Sequence, residues 1–223
     1  MIWLSLVLLL LGQNECAIRT LHIGAYNAFI FGADKMKSNF SAHMITNIIL
    51  RYDLVLIQEI REANGKGFKL LYENVKYIDP QYKYNISKRL GRSNSKEQYA
   101  FMWRANKIEM KESYVYKDSG DDFEREPIVG LFYSKEGKYQ FIYIGCHTKP
   151  DDAVHEIDKL YDVSKQAQKR LGTKEVIIGG DLNADCSWFW PDGINRTGSS
   201  TTTKCKLLQK LLLHLPFKCA CFF

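Results

Sequence analysis

Four strand-like segments, far apart in the chain, each run into polar residues of the types that phosphates and metals favour. Asp53-Leu54-Val55-Leu56-Ile57 passes without interruption into Gln58-Glu59, and Glu175-Val176-Ile177-Ile178-Gly179-Gly180 passes into Asp181. Continuous apolar runs of this length suit strands buried on both faces. Leu21-His22-Ile23-Gly24-Ala25-Tyr26-Asn27 alternates as a strand does and ends at Asn27, and a fourth segment, near Tyr139–Cys146, ends at His147. In layered α/β proteins ligands gather where strand ends converge, so the expected site is built from Asn27, Glu59, His147, Asp181 and Asn183.

The intervening text supplies the layers. Phe40, Met44, Ile45, Ile48 and Ile49 recur at helical spacing between about Lys35 and Arg51, and a second helix is expected from Gly67 to about Tyr77. Strands rich in aromatic and β-branched residues are expected near Tyr82–Ser87, Tyr99–Trp103, Glu112–Tyr116, Pro127–Tyr133 and Tyr139–Cys146. A long helix is expected to start at Asp151-Asp152 and stop at Gly172, with Val154, Ile157, Leu160, Tyr161, Ala167 and Leu171 on one side. The pattern predicts one α/β domain with a sheet-on-sheet core flanked by helices. With 46% hydrophobic and 25% charged residues, the chain is neither disordered, collagenous nor a coiled coil.

Residues 2 to 11 form an apolar run too short to span a bilayer, followed by polar Gln13-Asn14-Glu15 and small Cys16-Ala17. This has the shape of a cleaved secretory signal, without the usual basic start. The expected organisation is a signal peptide over 1–17, a folded domain over 18–190 and a divergent basic tail over 191–223. Secretion, with no membrane anchor, makes three sequons relevant as glycosylation candidates, at Asn39, Asn85 and Asn195. Five cysteines remain after position 17, so at least one is unpaired, and no spacing among them suggests zinc. The formal charge of +6 favours anionic partners.

Hard cations such as magnesium bind carboxylate and amide oxygens, and phosphodiester hydrolysis needs an activated water and a proton donor. Taken singly, each strand tip has an ordinary structural reading. Glu59 can be solvated surface, His147 a structural histidine and Asp181 a turn cap. The ordered set carries more weight than its members.

The segments Leu21–Asn27, Asp53–Arg61, Leu90-Gly91-Arg92, Lys96-Glu97-Gln98-Tyr99, Arg125-Glu126-Pro127, Cys146-His147-Thr148 and Gly180–Cys186 together resemble the DNase I family of secreted endonucleases. The resemblance covers about residues 21 to 190. It implies a four-layer α/β/β/α sandwich of the endonuclease/exonuclease/phosphatase type, acting on DNA with magnesium and calcium. It implies catalytic roles for Glu97 and His147 as a carboxylate–histidine pair, with Asp181 and Asn183 beside them. Glu59, Asn27 and Asp181 match groups that hold metal. Asn27, Arg61 and Arg125 match groups that meet DNA, the arginines as planar, permanently charged forks. A monomer is expected.

The sequence departs from that family in three places. Ser95 stands where the family has a DNA-contacting tyrosine. Tyr84-Asn85-Ile86-Ser87 is polar where the actin-binding member is apolar, so little or no actin binding is expected. After Asp185 the family's Tyr-Asp-Arg segment and Asp-His pair have no counterpart, because Asp192 is the last acid. His214 has no acid before it and is assigned no role. Cys186 matches half of a family disulfide, with Cys205 as a displaced candidate partner. The expectation is a domain whose C-terminal strands are missing, an altered gene product with an exposed sheet edge and impaired turnover. Two other readings remain open: a non-catalytic DNA-binding remnant, and a phosphodiesterase or phosphatase of the same fold.

Overall fold

A computed structural model describes residues 20–184. Strands β1 (Ile23–Phe31), β2 (Leu54–Ile60), β3 (Tyr82–Ile86) and β4 (Gln98–Arg104) form one sheet, in the order β1-β2-β4-β3. Strands β5 (Ile108–Val115), β6 (Ile128–Ser134), β7 (Tyr139–Gly145) and β8 (Val176–Gly179) form a second, in sequential order. Helices α1 (Ala33–Lys37), α2 (Asn39–Ile49) and α3 (Lys66–Ile78) cover the first sheet, and α4 (Ala153–Leu171) covers the second. This is the expected α/β/β/α sandwich.

Strand β2 shows why the layers form. Its Val55 and Ile57 pack among α2 and α3 residues such as Ile45, Ile49 and Leu71, whereas Leu54 and Leu56 pack with Phe132, Phe141 and Tyr143 of the other sheet. All four β2 side chains are fully buried, as the continuous apolar run predicts. Each such side chain contributes about 1.5–3 kcal/mol of burial. A third cluster joins Ile142, Ile144, Val176 and Ile178 to Leu160, Val163 and Ala167 of α4.

Two parallel pairs, β1 with β2 and β7 with β8, fix where the chemistry lies. Parallel neighbours end on the same side of a sheet. Asn27 and Glu59 therefore emerge together, as do His147 and Asp181. Antiparallel β4 starts where β2 ends, with Gln98 paired to Ile60, which delivers Glu97 to the same edge. Antiparallel β6 starts where β7 ends, with Ile128 paired to Gly145, which delivers Arg125.

The opposite end is held by polar contacts. The Arg104 guanidinium donates to Asp79, Asp53 and the carbonyls of Leu50 and Tyr52. It also lies over the Tyr82 ring.

Some elements differ from expectation. The single helix expected over Lys35–Arg51 is two, because Ser38 is extended and its hydroxyl caps α2 by accepting from the Ser41 amide. Strand β5 starts earlier than expected and absorbs a bulge between Met110 and Glu112. A 3-10 turn, Pro150–Asp152, precedes α4, and Gly172 ends it with φ of 72°. Strands β1 and β8 are sheet edges among the described residues. The signal segment, Asp185, the Cys186 and Cys205 candidates, Asn195, His214 and the 191–223 tail lie outside the described residues.

Candidate active site

Asn27 stands at a bulge where β1 slips its register against β2. Its amide nitrogen donates to Oε1 of Glu59 and to Oδ2 of Asp181, at 3.0 Å each. Two carboxylates from different sheets thus converge on one amide. The other Glu59 oxygen accepts from the Ile30 amide at 2.7 Å, and Asp181 Oδ1 accepts from the Asn183 amide at 3.1 Å. Phe29, Ile30, Glu59 and Asn183 all have positive φ, between 45° and 58°. Such backbone costs on the order of 1–3 kcal/mol per residue and clusters at functional sites.

His147 is buried, and its Nδ1 lies 3.0 and 3.2 Å from the two oxygens of buried Glu97. Its backbone amide donates to the Tyr99 hydroxyl at 2.9 Å. Burial pushes the Tyr99 hydroxyl and the Cys146 thiol well above their ordinary pKa values, so both stay protonated.

Arg125 is placed differently from a simple DNA-facing arginine. It is only 8% exposed. Its Nε and Nη2 donate to the carbonyls of His147 and Thr148, and its guanidinium lies 3.8 Å from Glu97. The desolvated fork braces the histidine segment from inside. Arg61 is half-buried and its side chain has no hydrogen-bond partner among the described residues, while its carbonyl accepts from Arg89.

Gln58 joins the two halves of the site. Fully buried, it donates through Nε2 to the Cys146 carbonyl at 2.9 Å and accepts the Asp181 amide through Oε1 at 2.8 Å. Asn183 adds a 2.7 Å bond to the Thr148 carbonyl. Gly180 permits this closeness. Its φ is 141°, and a β-carbon there would sit 2.0 Å from the Cys146 carbonyl oxygen.

Two residues had no role in the sequence reading. Gln58 carried one signal, its place in the polar Gln58-Glu59 tip of a strand buried on both faces, to which no role was attached. Glu156 carried none. It lies in α4 and accepts the amides of Glu124 and Lys149, tying the Arg125 and His147 segments to the helix. Burial raises its pKa despite those bonds.

Among the described residues no three His, Cys, Asp or Glu side chains surround one point. The carboxylates of Glu59 and Asp181 nevertheless suit magnesium, which takes one or two carboxylates and keeps water and phosphate as its other ligands, whereas the Asn27 amide nitrogen donates to both and its oxygen accepts the Phe29 amide, so Asn27 spaces the carboxylates. Of the glycosylation candidates described, Asn39 is exposed at the start of α2 and Asn85 is half-buried on edge strand β3. No helix among the described residues is long and apolar enough to cross a membrane.

A model of the endonuclease/exonuclease/phosphatase family matches residues 24–218. The chain is 35% identical to Deoxyribonuclease-1 of Bos taurus, over 89% of this chain and 79% of that protein. It is 36% identical to Deoxyribonuclease-1 of Homo sapiens, over 77% of this chain, and spans 64% of the human protein's length. Among solved structures, a mannosyl-6-phosphatase of Bacteroides thetaiotaomicron aligns with a TM-score of 0.55 and 17% identity, covering 86% of this chain and 72% of that one. That last likeness concerns the fold alone.

Proposed function

The chain belongs to the endonuclease/exonuclease/phosphatase family, as a DNase I-like protein, and on that footing we propose that its site hydrolyses DNA phosphodiesters with magnesium. The observation that carries this reading is the joining of the His147–Glu97 pair to the Asn27–Glu59–Asp181 cluster through Gln58. One half can move a proton and the other can hold a cation beside a phosphate.

Glu59 and Asp181 would hold magnesium, which when bound neutralises phosphate charge, and Asn27 would keep their carboxylates together through its amide nitrogen. With Glu97 ionised, its contact fixes the imidazole proton on Nδ1 and leaves Nε2 to accept one. His147 then takes a proton from water or returns it to the leaving oxygen. Glu97 orients the ring and stabilises its charged form. Asn183 and Arg125 hold the Asp181 and His147 segments in place, and Arg61, whose side chain has no hydrogen-bond partner among the described residues, offers its guanidinium to DNA. Magnesium and calcium are the proposed cations, secretion the proposed destination, and actin binding is proposed to be weak or absent.

Residues 185–223 contain no Asp-His pair. For the 223-residue chain by itself the proposed turnover is low, since acid–base groups are each worth about 10²–10⁴ in rate. Plasmid nicking with magnesium and calcium tests both points. Weak nicking that EDTA and His147→Ala abolish supports the reading. Nicking that survives His147→Ala overturns it, and robust nicking that needs His147 overturns the impairment alone.

A further inference from the structure

Beside the oxygen cluster, the β1 bulge presents Phe29 at 67% and Ile30 at 53% exposure, both at positive φ. Exposing two apolar side chains next to a polar site costs hydration, and the left-handed backbone adds strain. The segment is nevertheless firmly held. The Phe29 amide donates to Oδ1 of Asn27 at 2.9 Å, and the Ile30 amide donates to Oε2 of Glu59 at 2.7 Å. Lys35 donates to the Ala28 carbonyl at 2.8 Å and places its ammonium 5.2 Å from the Phe29 ring centre. A rigid exposed aromatic next to a cation, on the rim of a phosphate site, is the arrangement that receives an unstacked base while its phosphate is neutralised.

We propose that Phe29, flanked by Ile30, is a nucleobase platform that gives this chain a preference for single-stranded or locally unpaired DNA over intact duplex. The inference rests on the nucleic-acid reading of the site. Base faces inside a duplex are covered by their neighbours, so a flat ring gains contact only where a base is already unstacked. Ile30 supplies apolar surface beside it, and Lys35 supplies the charge.

The test uses the full chain in EDTA, so that turnover is irrelevant, and fluorescence anisotropy on three labelled 15-mers: single-stranded thymidine, an abasic strand and a duplex. Phe29→Ala should weaken the thymidine strand about tenfold and shift the abasic strand and duplex less than twofold. Phe29→Trp should restore thymidine binding, which guards against a misfolded variant. Equal loss on all three probes, or no loss on thymidine, overturns the platform while leaving the nuclease reading intact. A wild-type chain that binds none of the probes at low salt overturns both. A self-association that Phe29→Ala dissolves, without change in thymidine affinity, assigns the residues to a protein contact and overturns the proposal.

Discussion

The Asp181 backbone amide donates to Oε1 of Gln58 at 2.8 Å, although the residues lie 123 positions apart, Gln58 in β2 and Asp181 just beyond β8 of the other sheet. The same Gln58 side chain reaches the Cys146 carbonyl. One buried amide therefore sets the distance between the carboxylate that faces the proposed metal and the segment that carries the histidine.

Replacing Gln58 tests that bridge. Gln58→Leu keeps the bulk but strands two backbone groups, at about 1–3 kcal/mol each. Urea unfolding should show a loss of about 2–5 kcal/mol. Gln58→Glu can accept the Asp181 amide but must be protonated to donate to Cys146. Its stability should therefore fall as pH rises through the carboxylate range, whereas wild type shows no such step from this position.

Glu97→Gln keeps a hydrogen bond to His147 but removes the charge that stabilises an imidazolium. Any magnesium-dependent nicking should drop by about 10²-fold or more, with unfolding changed far less than nicking. Phosphate-backbone affinity measured in EDTA should stay within about twofold, because the pair is buried and does not form the outer surface.

Asp53 governs acid stability at the far end of the fold. Burial pushes its pKa up, but the His22 amide, Lys107 and Arg104 more than offset this and hold it below the ordinary aspartate range. A lowered folded pKa contributes stability that is present above about pH 4 and is lost as pH falls through the folded value. Asp53→Asn should cost about 2–4 kcal/mol at neutral pH and flatten the loss below pH 4, as read by thermal unfolding across pH.

Gly180→Ala should damage both the fold and the site. The added β-carbon would overlap the Cys146 carbonyl and also crowd Gln58 Nε2, at a φ that L-residues avoid. Chemical unfolding should show a loss of about 2–4 kcal/mol. Gly172→Ala is the control. It also has positive φ, but nothing lies within 4 Å of the added carbon, so its cost should be only about 1 kcal/mol.

Much of the sandwich was legible because its strands are chemically lopsided. The runs at Leu54–Ile57 and Val176–Ile178 announce burial, and their polar tips announce a site. The break at Ser38 was not legible, since the apolar spacing starts only at Phe40, beyond it, and says nothing of where the preceding short helix stops. Nor was the true position of Arg125. An arginine near a proposed phosphate site reads as a ligand, and only burial shows that two of its donors are spent on the His147 and Thr148 carbonyls.

Sequence by itself determined which strands are buried, which polar side chains stand at their ends, and the charge that favours an anionic partner. Periodicity and side-chain chemistry are local properties, and a linear string records them. Tertiary structure alone decided that Gln58 spans the sheets, that Glu156 and Arg125 act from inside, and that Phe29 faces solvent. Those facts depend on the desolvation and distance of groups that meet only when parallel and antiparallel strands bring their ends to one edge.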